Sequence, residues 1–162
     1  MTRVSRIDSA SEQVKVMAAA TRELSPPENV PLDEGDMSFF WNVVDEFARS
    51  EWTAHQLELA AILARTMADL VSEQVALREE GSIAYTEKGT PVPNPRKTII
   101  QMHASSIYAM RRSLSLHAIG KSGSGDSRDI GSRRRKAKAI EADNPLARDD
   151  DDLLNTPASG QA

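Results

Sequence analysis

The sequence predicts a mainly all-α protein: a helix-turn-helix-like hairpin with one long helix, a short extended or β-hairpin excursion, and a C-terminal helix, flanked by disordered tails. Three observations carry this expectation. Apolar residues recur at three- and four-residue intervals over 37–48, 53–80 and 96–116, the repeat of an amphipathic helix. Prolines and glycines fall between those stretches rather than inside them. The 162 residues are 40% hydrophobic but only 4% aromatic and 27% charged, which suits a small core with charged chain around it.

Taken in order, residues 1–35 read as a flexible N-terminal arm. Residues 11–24 carry Val14, Met17, Ala18 and Thr21 along one side of a candidate helix, and Ser25-Pro26-Pro27 stops it. The ordered core is expected over 36–118. Its first helix, 37–48, has Asp36 as N-cap and Phe40, Val43, Val44 and Phe47 as its apolar side. Thr53 and Gln56 match a capping box, with Trp52 and Leu57 placed as a hydrophobic staple. The helix they open runs to about Glu80 with two apolar stripes. One contains Leu57, Ala60, Ala64, Met67, Val71 and Val75; the other contains Leu59, Leu63, Thr66, Leu70 and Leu77. A helix apolar over so wide an arc needs partners on two sides, and a chain with few other elements is expected to find the second in another copy of itself. Gly81 ends the helix, and 82–95 predicts a hairpin turning at Lys88-Gly89, its second strand an edge because of Pro91, Pro93 and Pro95. The next helix, 96–116, keeps Ile100, His103, Ile107, Met110 and Leu114 on a packing seam, with Gln101, Ser105, Tyr108, Arg112 and Ser115 opposite. Residues 119–162 are expected to be a disordered, charged C-terminal tail.

The net charge of −4 conceals segregation. Counting Lys and Arg against Asp and Glu, 1–36 has 4 and 7, 37–81 has 3 and 8, and 82–118 has 5 and 1. The tail divides into 119–140, with 7 and 2, and 141–162, with 1 and 6. A net-acidic chain with basic blocks remains a nucleic-acid candidate, because phosphates respond to the local field.

Enzyme chemistry finds little support. There is no cysteine, and His55, His103 and His117 lack metal-pair spacing. Adjacent acids such as Asp45/Glu46 and Glu79/Glu80 point in different directions on a helix and read as solvated faces. The glycines of 120–131 do not lie between a strand and a helix, so they make no phosphate-binding loop. No cofactor, metal or small-molecule substrate is expected. No apolar run reaches the roughly 20 residues of a membrane span, and the start lacks an apolar signal core; a soluble intracellular protein is expected.

Nucleic-acid binding is better supported. In a helix-turn-helix, the second helix offers its first residues to DNA, here Thr53, His55, Gln56 and, one turn later, Glu58. Lys97, Arg111 and Arg112 make a basic surface on the last helix, and the run Arg133, Arg134, Arg135, Lys136 and Lys138 is an electrostatic anchor for phosphate.

Taken together, these motifs resemble the small terminase subunit of tailed double-stranded-DNA bacteriophages, particularly of phages that cut concatemers at cohesive-end sites. The matching pieces are Pro26-Pro27 ahead of a helix with Phe40-Trp41, Trp52-Thr53 opening a long Leu/Ala-rich helix that ends Arg78-Glu79-Glu80-Gly81, and the Gly89-Thr90-Pro91-Val92-Pro93-Asn94-Pro95 turn. A helix with Arg111-Arg112-Ser113-Leu114-Ser115-Leu116 follows, then Ser127-Arg128-Asp129 leading to a basic tail. The resemblance implies a non-enzymatic homo-oligomeric ring that binds viral concatemeric DNA and recruits the large terminase subunit, whose ATPase and nuclease drive packaging. Carried over by position, it adds Arg49 to the DNA-contact candidates Thr53, His55, Gln56, Lys97, Arg111 and Arg112. The oligomer contacts are expected from Leu57, Leu63, Met67, Leu70, Val71, Ile100, Ile107, Met110 and Leu114. The alternatives are a homo-oligomeric helical adaptor without DNA binding, and a helix-turn-helix transcription regulator acting as a dimer.

Overall fold

The computed structural model describes residues 7, 9–116 and 125–144. Among the described residues, five helices and one hairpin follow each other: α1 (Ala10–Ala20), α2 (Glu34–Val44), a 3-10 turn (Arg49–Glu51), α3 (Ala54–Glu80), β1 (Ile83–Tyr85), β2 (Pro91–Pro93), α4 (Arg96–Ser113) and α5 (Gly125–Ala142). The mainly helical class with one small hairpin is the one the sequence predicts. The chain divides into two compact units that interleave along the sequence: one holds Met1–Leu24, Phe47–Trp52 and Ile119–Ala162, the other Ser25–Glu46 and Thr53–Ala118.

The second unit is a three-helix arrangement in which α2 and α4 each pack on α3. The sequence places the α2 N-cap at Asp36, but the helix starts one turn earlier. Asp33 is the cap, and Asp36 is its N3 partner in a reciprocal capping box, with Asp36 Oδ2 accepting from Asp33 N–H at 3.0 Å. The helix also stops at Val44 rather than 48. Phe40, Val43 and Val44 are buried from α2, and Leu57, Ala60, Ala61, Leu63 and Ala64 from α3. Three alanines at the contact let the two helices approach closely. With 27 residues, α3 is about 40 Å long, whereas the 11 residues of α2 reach only about 16 Å. Every buried residue of α3 accordingly lies between Leu57 and Ala64. Farther along the same stripe, Val71 and Val75 are 46% and 49% exposed.

Gly81 caps α3 at φ 86°, a conformation that side chains resist. The hairpin pairs Ile83 with Pro93, Ala84 with Val92 and Tyr85 with Pro91, and Gly89 turns it at φ 78°. Its base is pinned by the buried Asn94: Nδ2 donates to Glu80 Oε2 at 3.1 Å and to the Gly81 carbonyl at 3.0 Å, and Oδ1 accepts from Arg96 N–H at 2.9 Å. At the other end, α4 stops in a Schellman motif, with Leu116 N–H on the Arg111 carbonyl at 2.8 Å and Ser115 N–H on that of Arg112 at 3.0 Å. Ser115 takes the left-handed position at φ 55°.

In the first unit, α1 fills the candidate helix of the N-terminal arm. The expectation of disorder over 119–162 differs from the structure at 125–142, which is the helix α5. Arg, Lys and Ala favour helix, and Ala137 with Ile140, one turn apart, packs on Ile7, Val16 and Ala48. Residues 117–124 and 145–162, including His117, lie outside the described residues.

Candidate nucleic-acid interface

Helix α4 contains Arg96, Lys97, Arg111 and Arg112 and no Asp or Glu. Positions 97, 101, 104, 108 and 111 follow a four–three–four–three spacing, so Lys97, Gln101, Tyr108 and Arg111 fall on one line of the helix with Arg112 beside it. The line is about 21 Å long between Lys97 and Arg111. Lys97 and Arg112 are exposed, Arg111 is half-buried, and Tyr108, between the cations, is 76% exposed. Among the described residues none of these three cations has an ion-pair partner. Their position is fixed at both ends of the helix. The Schellman turn holds the Arg111–Arg112 end, where positive charge also complements the helix dipole.

The other end is held by a group that the sequence leaves unassigned. Arg96 Nε lies 2.9 Å from both Glu80 carboxylate oxygens, one of its terminal nitrogens donates to Glu80 Oε1 at 2.8 Å, and the other donates to Glu73 Oε2 at 2.7 Å. Glu73 and Glu80 are seven residues apart, hence on one side of α3, and that spacing opposite a Pro-Asn-Pro-Arg corner was the available signal. Hydrogen bonds from Arg96 and Asn94, with the Arg96 charge, hold the Glu80 carboxyl below its ordinary pKa against a small desolvation. Glu80 and Glu73 in turn raise the Arg96 guanidinium. Glu80 is therefore a structural partner rather than part of a solvated acidic face.

At the start of α3 the candidates behave differently. Gln56 N–H donates to Thr53 Oγ1 at 3.3 Å, while Gln56 Oε1 accepts from Thr53 N–H at 2.9 Å and from its hydroxyl at 3.0 Å. Both side chains are spent on the cap. His55 is the one that projects, 88% exposed at the side chain, with Nδ1 3.6 Å from Glu58 Oε2. Replacing Thr53 with alanine is expected to cost about 1 kcal/mol of stability in urea denaturation and to leave duplex-DNA affinity within twofold, because the hydroxyl already has its partners.

The remaining cations divide. Arg49 donates its backbone N–H to Glu141 Oε2 at 2.8 Å, places Nε 3.7 Å from Glu141 Oε1, and donates a terminal N–H to the Ala20 carbonyl. Arg133 reaches Glu12 at 3.5 Å and Glu51 at 3.7 Å. The Arg134 guanidinium stands 3.8 Å over the Phe47 ring, and burial pushes its pKa down against the opposing pull of Glu51. These three residues, expected on DNA, serve the chain's own packing, whereas Arg135, Lys136 and Lys138 are exposed. Of the residues expected to build the oligomer, Leu57, Leu63 and Leu114 are buried within the single chain. Met67, Leu70, Ile100, Ile107 and Met110 are half-buried, and Val71 is exposed.

No group of three or more His, Cys, Asp or Glu placed to hold a metal ion occurs among the described residues, and no helix among them is long and apolar enough to cross a membrane. The fold is that of a small, mainly helical protein that carries an acid-free line of surface cations along α4, and its motifs resemble the phage small terminase subunits. A family profile settles the assignment: the chain belongs to the Hendrixvirinae small terminase family, which matches residues 1–161. Its role is in phage DNA packaging. No curated protein matches the chain.

Proposed function

We propose that the protein acts as the DNA-recognition subunit of a phage packaging machine: a non-enzymatic homo-oligomer that holds viral concatemeric duplex and brings the large terminase subunit to it. One observation carries the DNA reading, the acid-free line of Lys97, Gln101, Tyr108, Arg111 and Arg112 along α4. Three cations per chain bind phosphate weakly, but copies arranged around a ring act on one duplex together, and avidity multiplies modest contacts. The N-terminus of α3 contributes less, since Thr53 and Gln56 are committed to the cap and His55 lies beside Glu58. The exposed valines of α3 favour assembly, because a second copy would cover the stripe that α2 is too short to reach.

The test is a salt titration of duplex-DNA binding by anisotropy with the triple variant K97A/R111A/R112A. It is expected to lose at least tenfold in affinity at low salt, and its log–log salt slope should flatten by up to about 0.9 per lost phosphate contact. Wild-type affinity and slope in the variant would remove α4 from the interface. A stable oligomer with no duplex affinity at any salt would favour a protein-only adaptor.

A further inference from the structure

The basic run on α5 is split by the fold. Arg133 and Arg134 turn inward onto acids and an aromatic ring of their own unit, while Arg135, Lys136 and Lys138, on the same helix, face out. Of the two, Arg134 is closely stacked on Phe47, whereas Arg133 is held loosely by its geometry. Arg133 meets Glu12 and Glu51 at 3.5 and 3.7 Å with a third of its side chain exposed, against the 2.7–2.9 Å contacts that Arg96 makes. At these lengths Arg133 is held less firmly than Arg96, although the Glu12 and Glu51 side chains are only 11% and 20% exposed. Among the described residues, Ala137 packs beneath this end, with Ile140 a turn farther on. The far end of α5 is held differently, by Glu141 on Arg49 N–H at 2.8 Å and by the buried Asn144, whose Nδ2 donates to the Met17 carbonyl at 2.9 Å.

We propose that α5 is a clasp opened by polyanions: the phosphates of duplex DNA compete with Glu12 and Glu51 for Arg133, so that DNA binding and docking of this end of α5 on α1 and the Phe47–Trp52 connector oppose each other. The proposal rests on the DNA-binding reading above and adds regulation to it. In the closed form the two glutamates occupy a cation that phosphate would take, which lowers affinity for weak or brief encounters. Once Arg135, Lys136 and Lys138 engage a backbone, the local phosphate concentration rises and Arg133 exchanges one anionic partner for another. Because the coupling is reciprocal, loosening the clasp must tighten DNA binding by the same factor.

The experiment compares full-length wild type, E12Q/E51Q, and the charge-matched control E23Q/D143N, whose carboxylates are exposed and away from Arg133, on a 30-base-pair duplex across a salt series. E12Q/E51Q is expected to bind about fivefold more tightly than the control at low salt, because Arg133 no longer has to leave its acids before it meets phosphate. Adding R133A to E12Q/E51Q should erase the gain. Equal affinities of E12Q/E51Q and E23Q/D143N would overturn the clasp while leaving DNA binding intact. Absence of duplex binding by every protein would instead bring down the DNA reading, and the clasp with it. A measurement that needs no variant accompanies these: hydrogen exchange of wild-type α1 amides should speed up on saturation with duplex, and unchanged or slower exchange there counts against opening.

Discussion

Phe40→Ala should lower the stability of the unit built on α2, α3 and α4 by about 3–5 kcal/mol, read from urea unfolding followed by circular dichroism. Phe40 is 0% exposed and is among the largest fully buried side chains, and its ring stands edge-on to Trp41 at 5.2 Å. The first half of α3, against which α2 packs, presents Ala60, Ala61 and Ala64. Alanines have no side chain to swing into a void, so the cavity left by the ring stays open and the cost falls at the upper end of the large-to-small range. A domain with a total stability of about 5–15 kcal/mol would then be close to unfolding at 37 °C. Phe40→Leu, which keeps most of the volume, should cost about a third as much. A loss below about 1 kcal/mol for Phe40→Ala would mean that the α2–α3 contact is not the core of this unit.

The second large effect is on assembly. The double substitution V71D/V75D is expected to reduce the proposed oligomer to monomer at micromolar concentration by light scattering, with the helical circular dichroism of the wild type retained. Both positions are about half exposed in the single chain, so the monomer loses little by the change. Completing the burial of two valines is worth about 1.5–3 kcal/mol at each interface. A carboxylate in the same place reverses the sign, because its desolvation goes uncompensated, and α3 already carries Glu58, Asp69, Glu73, Glu79 and Glu80. Unchanged mass would place the interface elsewhere.

Much of this was legible from local pattern. Thr53 with Gln56 marks the start of α3, and Gly81 its end. The seam of Ile100, His103, Ile107 and Met110 is the less exposed side of α4, and the hairpin turns where Lys88-Gly89 suggests. The start of α2 was ambiguous for a physical reason: Asp33 and Asp36 are both competent caps, and only the reciprocal hydrogen bond tells which one leads. What stayed hidden depends on partners distant in sequence. Arg133 and Glu12 are 121 residues apart, and Arg96 and Glu73 are 23 apart. Neither separation leaves a periodic trace. Helix α5 was obscured for the same reason: its glycines and charge block look unstructured by composition, and the few apolar contacts that order it come from Ile7, Val16 and Ala48.

The interleaving of the two units along the chain carries a consequence for the order of folding during synthesis. All segments of the unit that holds α2, α3 and α4 have been made by Ala118, whereas α1 must wait for α5, which begins at Gly125. At ribosomal rates of about 5–20 residues per second, the roughly 105 residues from the end of α1 at Ala20 to the start of α5 at Gly125 take on the order of 5–20 s. An 11-residue helix is too short to persist alone in water. The nascent chain therefore presents a finished three-helix unit while α1 and the Phe47–Trp52 connector still lack α5, and its last folding step is a ring closure of more than 100 residues.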